Sequence, residues 1–208
     1  MIKNIVFDIG NVLTDFRWKE FLQDKGMDET MIKRIAKASV MSPYWDEFDR
    51  GAMSEEDTIA EFIKIDPEIE KELHLAYDDI TGMVVPRKYA IPWVKALKKN
   101  GYGVYFLSNF SRKAEKECSE SLEFMQYCDG GILSYRELVV KPNPEIYRRL
   151  FERFSLEPSE CLFLDDTERN IEAGRTLGMD GIVFGDPAEA IRELADRGVD
   201  VEGLAESL

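Results

Sequence analysis

The chain has 208 residues, 44% of them hydrophobic, and carries 41 acids against 27 bases for a net charge of −14. That length suits one large domain, or a core domain with a smaller insert, and twelve phenylalanines help supply a real core. An acidic chain with no basic stripe makes nucleic acid and anionic membrane poor partners, so a phosphorylated ligand would have to be recruited by local cations. Cys118, Cys128 and Cys161 are an odd number without metal-like spacing, which fits a reducing compartment. No signal-like segment precedes the first apolar run, and no run approaches the ~20 residues of a membrane span. The expectation is a soluble, cytoplasmic protein.

In chain order, Ile5, Val6 and Phe7 form a short apolar run that ends in Asp8 and turns at Gly10 and Asn11. The run reads as a buried strand of a parallel sheet. From Asp15 to about Val85 the pattern becomes helical and charged, with four short helices predicted. Ser54 before Glu55, Glu56 and Asp57 is a strong helix start, and Pro67 suits a first helical turn. This stretch interrupts an α/β chain and is expected to be an inserted helical cap, residues 16–85, on a core of residues 1–15 and 86–208.

The α/β alternation resumes with a helix through YAIPWVKALKKNG, which Gly101 ends, and a strand GVYFLSN that closes on Ser108 and Asn109. A helix over RKAEKECSESLEF and a weak strand GGILS follow. Lys141, Pro142, the N-cap Asn143 and Pro144 then introduce an amphipathic helix. CLFLDD is a strand ending on Asp165 and Asp166, TERNIEAGRTLG its helix, DGIVF the last strand and PAEAIRELADRG the closing helix. Alternating units of this kind imply a Rossmann-like, doubly wound parallel sheet whose strands all end on one edge. Asp8, Ser108, Asp165 and Asp166 therefore share a rim, where open α/β sheets bind ligands.

That rim has a chemistry of its own. Adjacent carboxylates at the end of an apolar strand repel one another and call for a cation. With Asp8 nearby, a hard ion held by oxygen fits best, and Mg²⁺ is the expected one. Ser108 and Asn109 offer hydroxyl, amide and backbone N–H groups to phosphate oxygens. Lys141, in a loop stiffened by prolines, can offset charge on a phosphoryl group.

The order of apolar strand–Asp8, LSN, Lys141–Pro142 and LDD with Asn170 resembles the four motifs of the haloacid dehalogenase-like hydrolase superfamily. The resemblance covers residues 1–15 and 86–184 and includes the position of a helical cap. The runs FDIGNV and FDRGAMSEED look most like the sugar-phosphate phosphatase branch that includes α-D-glucose-1-phosphate phosphatase, and they also resemble the phosphatase domain of soluble epoxide hydrolases. The resemblance implies that Asp8 is a nucleophile forming an aspartyl-phosphate. It implies that the Asp8 carboxylate, the Gly10 carbonyl and Asp166 hold Mg²⁺, and that Asp165 and Asn170 support that site. It assigns the phosphoryl oxygens to Ser108, Asn109 and Lys141. The expected activity is hydrolysis of small phosphate monoesters, with sugar phosphates the favoured class, by a monomer or homodimer.

One position departs from the family pattern. Gly10 stands where most superfamily phosphatases have a second Asp, the general acid for the leaving group. General acid–base catalysis is worth ~10²–10⁴-fold, so alkyl phosphates should turn over slowly. Asp46, Glu47 and Asp49 are candidates for a replacement by position only, and Asp15 is expected to order the way into the cap. His74 is expected at the surface, and Tyr44, Trp45 and Phe48 in cap packing, with a share available to stack on a sugar. Two other functions remain open: a 2-haloacid dehalogenase using Asp8 on carbon, which the Asp165–Asp166 pair disfavours, and a catalytically weak phospho-ligand-binding domain.

Overall fold

The computed structural model describes residues 1–208, apart from the side chain of Ser207. Five parallel strands form the central sheet in the order β5-β4-β1-β6-β7. They are β1 (Asn4–Phe7), β4 (Gly103–Ser108), β5 (Gly130–Leu133), β6 (Cys161–Asp165) and β7 (Asp180–Val183). The chain runs outward from β1 through β4 to β5, then returns to the other side of β1 for β6 and β7. The crevice at the carboxyl ends of these central strands is thus the switch point of the sheet.

Strand alternation sorts the core. Ile5 and Phe7 face one side, with Phe106, Leu162 and Leu164. Val6 faces the other, with Leu107, Ile132 and Phe163. Helices α6 (Ala90–Lys99), α7 (Arg112–Glu117), the single turn α8 (Ser134–Glu137), α9 (Pro144–Phe154), α10 (Glu168–Thr176) and α11 (Pro187–Asp196) complete the α/β part. Asn143 caps α9 as predicted, its side chain accepting from the Glu145 N–H at 3.0 Å.

Between β1 and α6 the chain builds a helical layer of α1 (Trp18–Asp24), α2 (Glu29–Ala38), α3 (Pro43–Arg50), α4 (Glu55–Ile65) and α5 (Glu70–Tyr77). Its own core includes Phe21, Ile35, Phe62, Leu73 and Tyr77. The layer is entered by β2 (Thr14–Phe16) and left by β3 (Val84–Pro86), which pair antiparallel as a short ribbon. Asp15 sits on that ribbon and pairs with Arg87 at 2.7 Å.

Three details differ from the sequence reading. The layer has five α-helices rather than four, and the additional one, α3, spans residues the sequence showed as an aromatic stretch. The ribbon of β2 and β3 was not anticipated. The helix expected over RKAEKECSESLEF stops at Glu117 and continues as a 3₁₀ segment, Ser119–Tyr127. The reason is docking: buried Cys118 donates to the Ile80 carbonyl at 3.3 Å and Ser121 to Val84 at 2.8 Å, which ties the segment to the end of the helical layer.

Candidate active site

The register of the sheet assembles the site. Phe7 lies opposite both Phe106 and Leu164, so Asp8, Ser108 and Asp165 follow within two residues on one rim. The Asp8 N–H still donates to Leu164 at 2.8 Å, which fixes the Asp8 backbone as an extension of β1.

Lys141 is the hub. Its side chain is about 1% exposed, and its Nζ lies 2.8 Å from Asp8 Oδ1 and 2.6 Å from Asp165 Oδ2. Nζ also lies 5.3 Å from the centre of the Phe163 ring. Asn109 holds the lysine's backbone from both sides, its Oδ1 accepting from the Lys141 N–H at 2.7 Å and its Nδ2 donating to the Lys141 carbonyl at 3.1 Å. The Asn109 side chain thus positions the lysine loop. Asp165 is fully buried and accepts from the Thr167 N–H at 2.8 Å and from Asn170 Nδ2 at 3.0 and 3.1 Å. Tyr147 donates to the Asn170 carbonyl at 2.8 Å and steadies this corner.

Electrostatics follow from burial. Burial pushes the Asp8 carboxyl up, Lys141 pulls it back down, and Asp165 pushes it up again. Burial pulls the Lys141 ammonium down, but Asp165 and Asp8 outweigh it and the proton is held more tightly than in water. Oxygens of Asp8, Asp165 and Asp166 all lie within 4.8 Å of one another. Three acidic side chains thus crowd around one ammonium. The donor set is entirely oxygen, so the residues present fit a hard divalent cation such as Mg²⁺.

Asp166 accepts from Asn11 Nδ2 at 2.8 Å, while Asn11 Oδ1 accepts from the Phe16 N–H at 3.2 Å. Asn11 has a φ of 58°, a left-handed conformation that asparagine tolerates better than most residues. The sequence reading marked Asn11 only as a turn residue, although an Asn directly after a Gly at a strand end was a usable signal. Gly10 has open space around it, with no atom within 4 Å of where a Cβ would stand.

A cavity of about 210 Å³ opens over this rim. Asp8, Gly10, Ser108, Asn109, Asp166 and Thr167 form its floor, and residues of the helical layer and its exit, among them Phe16, Trp45, Phe48, Ile80 and Met83, form its roof. Asp49 also lines the cavity. Of the three aromatics singled out in the sequence, Trp45 and Phe48 reach the cavity, whereas Tyr44 packs against the core of the layer. His74 is exposed and pairs with Asp78 at 3.0 Å, away from the site.

The chain belongs to the haloacid dehalogenase-like hydrolase family, whose model matches residues 2–178. It is 29% identical to the D-ribitol-5-phosphate phosphatase of Bacteroides thetaiotaomicron, covering 86% of this chain and 90% of that protein. It is 24% identical to the sesquiterpene phosphatase astK of Aspergillus oryzae, covering 92% of this chain and 94% of that one. It spans only 18% of the length of mouse acyl-CoA dehydrogenase family member 10, with 26% identity. A HAD family enzyme of Bacteroides thetaiotaomicron, solved in complex with magnesium and inorganic phosphate, shares the fold with a TM-score of 0.69 at 22% identity, over 91% of this chain and 99% of that chain. The protein is therefore a hydrolase with phosphatases among its relatives. Among its described residues, no helix is long and apolar enough to cross a membrane.

Proposed function

We propose that this hydrolase is a Mg²⁺-dependent phosphatase of small phosphate monoesters that works through an aspartyl-phosphate on Asp8. Residues 1–15 and 86–208 form its catalytic core and residues 16–85 its cap. The observation that carries the reading is Lys141 Nζ bridging Asp8 at 2.8 Å and Asp165 at 2.6 Å beside a third carboxylate, Asp166. An anionic nucleophile can approach an anionic ester only where charge is offset at both, and phosphoryl transfer needs positioning and charge neutralisation above all.

Each residue then has a task. Asp8 attacks phosphorus, which divides hydrolysis into two easier steps. Lys141 neutralises the nucleophile and the charge on the phosphoryl oxygens. Ser108 and the Asn109 backbone hold those oxygens, while the Asn109 side chain holds the lysine. Asp8, the Gly10 carbonyl and Asp166 would hold Mg²⁺, with Asp165 and Asn170 supporting them. When bound, Mg²⁺ supplies Lewis-acid neutralisation of the phosphoryl group. Nothing in these roles requires a partner beyond the small-molecule ester, and the enzyme is taken as cytoplasmic, a monomer or homodimer.

Two substrate classes have support. A likeness to a polyol-phosphate phosphatase favours sugar phosphates, and Trp45 and Phe48 suit stacking on a sugar face. The largely apolar roof, with Phe16, Ile80 and Met83, favours instead the phosphate of an apolar alcohol, as the name of the sesquiterpene phosphatase also suggests.

A phosphate-ester panel with Mg²⁺, containing sugar, nucleotide, aryl and isoprenyl phosphates, tests the reading. Wild-type protein is expected to release phosphate from at least one class and to lose the activity in EDTA. Asp8→Asn is expected to fold and to show only background release. Wild-type rates in Asp8→Asn, or halide release from a 2-haloacid in EDTA, would contradict it.

A further inference from the structure

We infer that Asp49, carried by the cap helix α3, is the proton donor to the leaving group that position 10 lacks. The inference rests on the phosphatase reading and completes it.

The cavity makes the selection. Its lining contains three carboxyl groups among the described residues: Asp8, Asp166 and Asp49. Asp8 and Asp166 are committed to the nucleophile and the cation cluster. The other acids near the mouth are engaged elsewhere or do not reach it. Asp15 pairs with Arg87 at 2.7 Å, Glu47 pairs with Arg50 at 3.4 Å, and neither these two nor Asp46 lines the cavity. Asp49 is thus the one carboxyl that the helical layer brings to the cavity whose floor carries Asp8.

Its place is fixed by two contacts between α3 and the core. The Ser134 hydroxyl donates to the Asp49 carbonyl and accepts from the Phe110 N–H at 2.8 Å, so it joins the acid's backbone to the loop after β4. Immediately beyond α3, Gly51 adopts a φ of 71° and lies so close to Tyr135 that a Cβ would stand 2.9 Å from the tyrosine Cβ. Helix α3 is therefore pressed onto α8 with its last turn over the site.

The surroundings keep the acid protonated. Burial pushes the Asp49 carboxyl up to about 8, with further upward contributions from Asp46 on its own helix and Asp8 across the cavity, against Lys141. Asp166 is the remaining carboxyl group that lines the same cavity. The negative end of the α3 dipole acts in the same sense. A group near neutrality in its proton affinity suits general acid–base work.

The steps balance. As the Asp8 oxygen–phosphorus bond forms, the bond from phosphorus to the ester oxygen breaks, and its electron pair goes to that oxygen. The oxygen takes the Asp49 proton and leaves as alcohol. Water then attacks phosphorus and gives its proton to the Asp49 carboxylate, and the Asp8 carboxylate departs with the electrons of the acyl-phosphate bond.

Benzyl phosphate and 4-nitrophenyl phosphate are the probes, since both present a ring to the cavity and only the alkoxide needs a proton to leave. Asp49→Asn is expected to lower kcat/KM for benzyl phosphate by ~10²–10⁴-fold and for 4-nitrophenyl phosphate by less than about tenfold. It is also expected to accumulate phosphoenzyme, because dephosphorylation loses its base. Adding Gly10→Asp, for which there is room, should restore benzyl phosphate. If Asp49→Asn does not fold, the wild type decides: its benzyl profile should fall at alkaline pH where the nitrophenyl profile does not. Equal losses on both probes, or a shared alkaline limb, would overturn the assignment of Asp49 while leaving the phosphatase intact. Wild-type turnover of 4-nitrophenyl phosphate but not of benzyl phosphate would also overturn the assignment of Asp49, and no turnover of any ester in the panel with Mg²⁺ would overturn the phosphatase reading and this one with it.

Discussion

At the scale of the residue, the site is a problem in buried charge. Asp165 is fully buried and Asp8 nearly so, and Lys141 between them offsets charge that would otherwise be costly to bury. Their positions were legible in the sequence because each is an acid closing an apolar strand. The partner that orients Lys141 was less so. Asn109 looked like a phosphate ligand, and only the structure shows its side chain holding the lysine's backbone. Asp49, half-buried beside the cavity, shows the same upward push. Its carboxyl is raised from 3.8 to about 8, so the folded state binds a proton that the unfolded state releases between those values. Its stabilising contribution is complete below the unfolded value and is lost as pH rises through the folded one. In EDTA, Asp49→Asn is therefore expected to melt above wild type at pH 8, with the difference closing toward pH 4. A gap independent of pH, followed by calorimetry, would contradict the shift.

At the scale of the element, the proposed proton donor lies on the one helix of the layer that the sequence did not predict. The stretch Pro43–Arg50 has only eight residues, and its apolar face rests on three aromatics, Tyr44, Trp45 and Phe48, too short a run to set it apart from a loop. Its signals were at the ends, with Pro43 in the first turn and Gly51 as a left-handed C-cap. The strands, by contrast, were readable because burial on both faces makes them continuous apolar runs. Gly51 is the hinge of this element's placement. Gly51→Ala forces a Cβ against Tyr135 in a backbone conformation that alanine resists, at a cost of more than ~1 kcal/mol. The loss should appear as a lower denaturation midpoint. Activity should respond unevenly, because displacing α3 withdraws Asp49 but not Asp8. Benzyl phosphate hydrolysis is expected to fall more than 4-nitrophenyl phosphate hydrolysis, and an equal fall would show that α3 does not position the proton donor.

At the scale of the whole molecule, an open parallel sheet brings strand ends from distant parts of the sequence to one crevice, and a helical layer closes over it. The alternation of strands and helices made the sheet legible, and with it the shared rim. How the layer sits on the sheet was not legible, since roof and packing residues are equally apolar; Tyr44 and Trp45 both pack against the core of the layer, yet only Trp45 also lines the cavity. A net charge of −14 also means that the molecule's overall field repels a phosphate ester, so recognition has to be local, from Lys141 beneath the floor and from a cation held by the acids around it. The central claim is that Asp8 carries the phosphoryl group in transit. Rapid quenching of the wild-type protein with Mg²⁺ and 4-nitrophenyl phosphate, followed by mass analysis of the peptide containing Asp8, tests it most directly. A phosphorylated peptide is expected in the wild type and is expected to be absent in Asp8→Asn and in EDTA. Turnover at full rate with the Asp8 peptide never modified would contradict it.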